Sequence, residues 1–140
     1  MDGIYVTPDG NIYTNTTYEE GGRPAMAFNK YGQMISPMNA NSAAGPQTYI
    51  GPFGGVAVAT AGYYNFLSYA PNGTGIGIRD TRTWLMTSYT VNGSSTLNNS
   101  QGIWGLAVAD NKLYVTEQDE NLVEIFDISD ITHILSLIHI

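Results

Sequence analysis

A short motif that returns at intervals of about 50 residues constrains this chain more than any other feature. The first copy reads Gly3-Ile4-Tyr5-Val6-Thr7-Pro8-Asp9-Gly10-Asn11-Ile12-Tyr13-Thr14-Asn15. The second runs from Gly54 and Gly55 through Val56-Ala57-Val58-Ala59-Thr60-Ala61-Gly62 to Tyr63-Tyr64-Asn65. The third is Gly105-Leu106-Ala107-Val108-Ala109-Asp110-Asn111-Lys112-Leu113-Tyr114-Val115-Thr116-Glu117. Aligned on Gly3, Gly55 and Gly105, each copy opens on glycine, runs as an apolar strand, turns, and returns as a strand containing tyrosine. Asp9-Gly10 reads as a two-residue hairpin turn in the first copy and Ala61-Gly62 as the turn of the second. In the third, Asp110-Asn111 supplies the turn, because both side chains tolerate positive φ. A unit of this kind cannot bury its apolar surface alone and must stack on its neighbours.

The third copy continues, after the polar stretch 118–121, into Leu122-Val123-Glu124-Ile125-Phe126-Asp127. Apolar residues fall on both faces of that run, as expected of a strand sandwiched between two layers. The same reading places strands near 3–8, 11–18, 23–29 and 33–38. In the second unit they fall near 54–60, 62–69, 75–80 and 84–91, and in the third near 104–109, 112–117, 122–127 and 132–138. Polar connections at 39–52 and 92–102 join the units. Only 12% of residues are charged and 16 are glycine, a balance that suits short strands and many turns.

Charge and cysteine usage exclude several classes of function. With five Lys plus Arg and a net charge of −7, the surface cannot neutralise a run of phosphates. Nucleic-acid binding and adsorption to anionic membranes are therefore not expected. The absence of cysteine removes disulfides, thiolate metal sites and a cysteine nucleophile. Met1-Asp2-Gly3-Ile4-Tyr5-Val6 carries neither the basic nor the apolar segment of a signal peptide.

The segments Gly3-Ile4-Tyr5-Val6, Gly105-Leu106-Ala107-Val108-Ala109 and Lys112-Leu113-Tyr114-Val115-Thr116-Glu117, the last followed by Asn121-Leu122-Val123-Glu124-Ile125-Phe126-Asp127, resemble NHL-repeat β-propeller blades. That pattern has a glycine-led inner strand, a Tyr-Val second strand ending in an acidic residue, and a third strand ending in Phe-Asp. The likeness is best over 102–128, and Leu122 stands where the family often carries arginine. The resemblance implies an all-β fold: a partial β-propeller of two to three four-stranded antiparallel blades, about 3–38, 54–91 and 104–133, within 1–133. Propellers usually close with about 4–8 blades, so this stretch reads as a fragment. It is expected to need missing propeller blades, or self-association, to cover its two open faces. Residues 134–140 are set apart, because Leu135-Ser136-Leu137-Ile138-His139-Ile140 reads as translated sequencing adapter, a non-native tail.

In propellers, ligands meet the loops that lead into each inner strand and the loops between second and third strands. Here those loops carry Tyr49, Phe53 and Trp104, an aromatic platform suited to sugar rings or peptide side chains. Glu19, Arg23, Glu117 and Asp119 add hydrogen-bonding and charged groups beside it. Glu19, Glu20, Glu117, Asp119 and Glu120 could offer oxygens to Ca²⁺, but the spacing of a calcium loop is missing, and no cofactor is assigned. The only histidines are His133 and His139, at or within the suspect tail, and no serine sits in a G-x-S-x-G turn. The expectation is a non-catalytic propeller module, extracellular or periplasmic, that binds glycan or protein through its loop face. The alternative implied by the resemblance is a fragment of a metal-dependent lactonase-type hydrolase. Such enzymes hold an axial divalent metal with Glu, Asn and Asp, for which Glu117 and Asn65 are the candidates.

Overall fold

A computed structural model describes residues 3–15, 26–35, 57–68, 76–84, 87, 90–91, 103–117 and 120–139. Among the described residues every regular element is a β-strand. None forms a helix long and apolar enough to cross a membrane. The strands build three sheets, in chain order.

The first sheet holds β1 (Gly3–Val6), β2 (Ile12–Asn15) and β3 (Ala27–Phe28), all antiparallel. Its first turn is not the two-residue hairpin that Asp9-Gly10 suggests. The Gly10 amide donates to the Thr7 carbonyl at 2.9 Å and the Thr7 amide to the Asn11 carbonyl at 2.9 Å. Pro8, with its φ preset by the ring, takes the first central position and starts the turn one residue earlier. Gly10 follows with φ 89°, a conformation natural to glycine alone. A β-carbon there would lie 2.9 Å from Lys30 Cβ, so the turn is closely packed on the next loop. That loop, 29–33, is built by Asn29, whose side-chain carbonyl accepts from the amides of Tyr31 and Gln33. The chain then returns beside β3, where Met34 bridges Phe28. Residues 36–38 of the expected fourth strand lie outside the described residues.

The second sheet holds β4 (Val58–Ala61), β5 (Tyr64–Ser68) and β6 (Ile76–Asp80). Ala61 pairs with Tyr64, so the turn is Gly62-Tyr63, one residue later than expected. After β6 the Thr87 amide donates to the Ile78 carbonyl at 2.8 Å, alongside that edge. The chain then leaves: β7 (Thr90–Val91) pairs in parallel with the outermost strand of the third sheet. The expected strand 84–91 is therefore shared between two sheets.

The third sheet has the longest strands, with β8 (Ile103–Ala109), β9 (Lys112–Glu117), β10 (Leu122–Asp127) and β11 (His133–His139) as an antiparallel meander. Asp110 and Asn111 form its first turn with φ of 49° and 56°, as their chemistry predicts. Gly105 lies inside β8 beside a register shift rather than at the strand's start. A β-carbon there would come within 2.7 Å of Thr116 Oγ1, so the close approach of β8 and β9 explains the glycine. Of the residues 134–140 set apart as tail, 134–139 lie in β11 and continue the sheet, and Ile134 is wholly buried.

The second sheet sits between the other two. Val58 and Leu67 on one face pack with Tyr13 and Ala27 of the first sheet. Phe66, Ile76 and Ile78 on the other face pack with Ile103, Leu113, Val115, Phe126, Ile128 and Ile134. Fully burying such side chains contributes roughly 1.5–3 kcal/mol each. The first strands of the three sheets are neighbours: β1 packs against β4, and β4 against β8. On the outward sides, Ile4 of the first sheet is 63% exposed and Leu135 of the third is 50% exposed.

Candidate functional site

Where the first and second sheets meet, their turns enclose an open cleft of about 290 Å³. The β1–β2 turn supplies Thr7, Asp9 and Asn11, with Tyr13 just behind them on β2. The β4–β5 turn supplies Gly62 and Tyr63. The turn after β6 supplies Thr81, Arg82 and Trp84, and Ile35 closes one side.

Each polar wall is fixed by its own sequence. Asp9 is held by Thr7, whose hydroxyl donates to its Oδ1, and by Asn11, whose Nδ2 donates to Oδ2 at 2.9 Å. The Thr7 bond, more than the others, holds the Asp9 carboxyl below its usual range. Asp80 does the same for the opposite wall. Its carboxylate accepts the Arg82 amide at 2.8 Å, Arg82 Nε at 2.9 Å and Nη2 at 2.5 Å. That fork lowers the Asp80 pKa and raises that of Arg82. Arg82 also donates from Nη2 to the Tyr64 hydroxyl at 3.3 Å, and its guanidinium lies 4.9 Å from the Tyr63 ring centre. Tyr63 is pinned at its backbone, where its carbonyl accepts both the Thr81 amide at 2.8 Å and the Thr81 hydroxyl at 3.0 Å. Its side chain projects, leaving the residue 60% exposed.

Beneath the cleft lies a buried polar row. Thr60, Asn65 and Arg79 are direct partners across β4, β5 and β6, and all three are buried. The Thr60 hydroxyl donates to Asn65 Oδ1 at 3.2 Å. The Arg79 guanidinium lies 5.0 Å from the Trp84 ring centre. Burial pushes the Arg79 pKa down to about 10, opposed by the neighbouring Tyr13. Burial raises the Tyr13 pKa in turn. Trp84 carries a φ of 62°, a left-handed conformation that a bulky residue adopts only when its surroundings impose it. Its amide donates to the Asp80 carbonyl at 2.7 Å, and the ring packs on the core below.

Of the ligand-binding residues singled out from sequence, only Trp104 and Glu117 are described, and neither lines this cleft. Tyr49, Phe53, Glu19, Arg23 and Asp119 lie outside the described residues. Trp104 and Glu117 sit at the end of the third sheet remote from its Asp110-Asn111 turn, whereas the cleft is formed at the turn ends of its sheets. Trp104 is 59% exposed and Glu117 only 2%. Asn65 and Glu117 are not brought together: Asn65 shares its face with Val58 and Leu67, while Glu117 shares the third sheet's inner face with Leu113 and Val115. The body of the second sheet separates them. Among the described residues no cluster of three His, Asp or Glu side chains could hold a metal ion.

The cleft's own residues were readable for structure, not for function. Asp9 is legible as a turn former within Pro8-Asp9-Gly10, and Arg82 as a polar residue after a strand. Only the stacking of two sheets brings them to one opening. No protein-family model matches the chain, and no curated protein does.

Proposed function

We propose that the three sheets are successive blades of a β-propeller of the NHL type, and that the chain is a non-catalytic module binding a glycan or protein ligand where its loops cluster. The observation that carries the binding reading is the cleft, whose aromatic and hydrogen-bonding walls are locked in place before any ligand arrives. Preorganised side chains of this kind lose little freedom on binding. The carboxylates there suit recognition better than proton transfer. General acid–base work at neutral pH favours a pKa near 7, whereas Asp9 and Asp80 are pulled the other way. The blade reading is supported by the side-by-side packing of β1, β4 and β8, the first strand of each sheet. Sheets set radially about an axis place their inner strands this way. On this reading further blades, or a second copy, cover the outward faces of the first and third sheets, and the protein works outside the cytoplasm.

A glycan array and a pull-down from an extracellular protein mixture, both with the full chain, test the proposal. We expect retention of at least one ligand class, lost in Tyr63→Ala with the circular dichroism spectrum unchanged. Silence across both assays, or retention indifferent to Tyr63→Ala, rejects it for this cleft.

A further inference from the structure

The cleft carries more chemical information than the word ligand conveys. Its size, about 290 Å³, lies at the small end of ligand sites, which commonly run about 300–1,000 Å³. That is room for one or two small rings, not for a folded surface. Its walls carry one exposed carboxylate, Asp9, and one exposed guanidinium, Arg82. An anionic ligand gains at Arg82 and meets Asp9, and a cationic one meets the reverse. Asp80 already occupies the Arg82 fork, which lowers what an added anion could gain there. The favoured ligand is therefore not an anion, and it donates hydrogen bonds to Asp9.

The remaining surface pairs an apolar plane with hydrogen-bonding groups. Arg82 holds the Tyr63 ring by stacking, yet Tyr63 stays largely open. Asp9 already accepts from the Thr7 hydroxyl and Asn11 Nδ2, and from the backbone amides of Asp9 and Asn11, yet it stays exposed at the cleft. An exposed carboxylate accepts from ligand hydroxyls on its solvent side. Such bonds to an ionised acceptor are roughly twice as strong as neutral ones. A ligand with an apolar C–H face and a neighbouring pair of hydroxyls fits both features, and a neutral pyranose has this combination.

We propose that this cleft is a subsite for a neutral pyranose ring, stacked on Tyr63 and held through a vicinal hydroxyl pair by Asp9. The inference rests on the reading of the chain as a binding module and narrows its ligand to one class. Calorimetric titration of the full chain with methyl glycosides of glucose, galactose and mannose, joined by ¹⁵N-resolved NMR of the same mixtures, tests it. A saturable heat with at least one of them is expected, with shifts at Tyr63 and Trp84. Tyr63→Ala and Asp9→Asn should each weaken binding at least about tenfold, the scale of one lost stacking or charge-assisted contact. Tyr63→Phe, which keeps the plane, should bind within a few-fold of the parent. No response to any neutral glycoside at its solubility limit overturns the sugar assignment, as does binding unchanged in Tyr63→Ala. A peptide or protein retained by the parent and lost in Tyr63→Ala, with every sugar silent, overturns the sugar class while leaving the binding module standing. If no ligand of any kind depends on Tyr63, both fall.

Discussion

Burying an arginine between two sheets carries a desolvation cost that its surroundings must offset. At Arg79, 1% exposed, the guanidinium does so partly by lying against Trp84. Its aliphatic stem is buried with it. Arg79→Ala removes both stem and stack, and we expect a loss of about 2–5 kcal/mol, the range of large-to-small core changes. Arg79→Met keeps the volume without the charge and should recover most of that loss, since a buried charge replaced by an apolar isostere is often neutral or favourable. Urea midpoints of the two variants decide it; equal losses would mean the charge itself holds the fold. The exposed carboxylates give a second test at this scale. Asp9, Asp80, Asp127 and Asp130 are all held below the ordinary carboxylate range, chiefly by side-chain bonds from Thr7, Arg82, Ser129 and Thr132 respectively. A carboxylate with a depressed folded pKa lends stability in full above its unfolded value, and that stability is lost as pH falls through the folded one. The melting temperature should therefore hold from neutrality to about pH 4 and then decline. In the double variant Asp9→Asn, Asp80→Asn the acid-side decline should be shallower.

Between elements, β8 lies close on β9 where Gly105 faces Thr116. Gly105→Ala forces a carbon to within 2.7 Å of the Thr116 hydroxyl. A loss of about 1–3 kcal/mol follows, as for overpacking elsewhere. Thr116→Ala removes the obstructing atoms, so the double variant should recover part of the loss, with a coupling of about 0.5–3 kcal/mol in chemical denaturation. Additive losses would place the cost in the backbone instead. β11 allows a similar measurement. Ile134 is buried against Phe126 and Ile128, so Ile134→Ala should cost about 2–5 kcal/mol. A change within experimental error would mean that the strand is not part of the working core. The third sheet was legible because its signals agree: Asp110-Asn111 demands a turn, and β-branched and aromatic residues flank it in runs long enough for strands. The first turn misled because Asp9-Gly10 is also the end of Thr7-Pro8-Asp9-Gly10, and proline wins that competition. The second sheet was hardest, since Gly62-Tyr63 and the run around Gly77 carry weak propensity and take their strand form from burial on both faces.

For the molecule as a whole, the arrangement leaves one asymmetry unresolved within a single chain. Among the described residues the second sheet packs against a neighbouring sheet on both faces, and the first and third on one. Their outward surfaces carry Ile4 and Val6 at one end of the stack and Trp104, Leu135 and Leu137 at the other. Sheet stacking was foreseeable from the repeat, because each unit needs a neighbour. The cleft was not, because it belongs to no single unit and arises only when the turns of two sheets are brought into line. Apolar area exposed this way drives association roughly in proportion to its extent. The 140-residue chain alone should therefore self-associate, with a weight-average sedimentation coefficient that rises with concentration. Sulfate, which strengthens burial of apolar surface, should promote the effect, whereas an interaction led by charge would weaken with added salt. Replacing Ile4 and Leu135 together by lysine should return the chain toward a monomer without moving its thermal transition by more than a few degrees, because both side chains already face solvent. A parent chain that stays monomeric at high concentration would show that three sheets suffice unaided, and would remove the reason for seeking further blades around them.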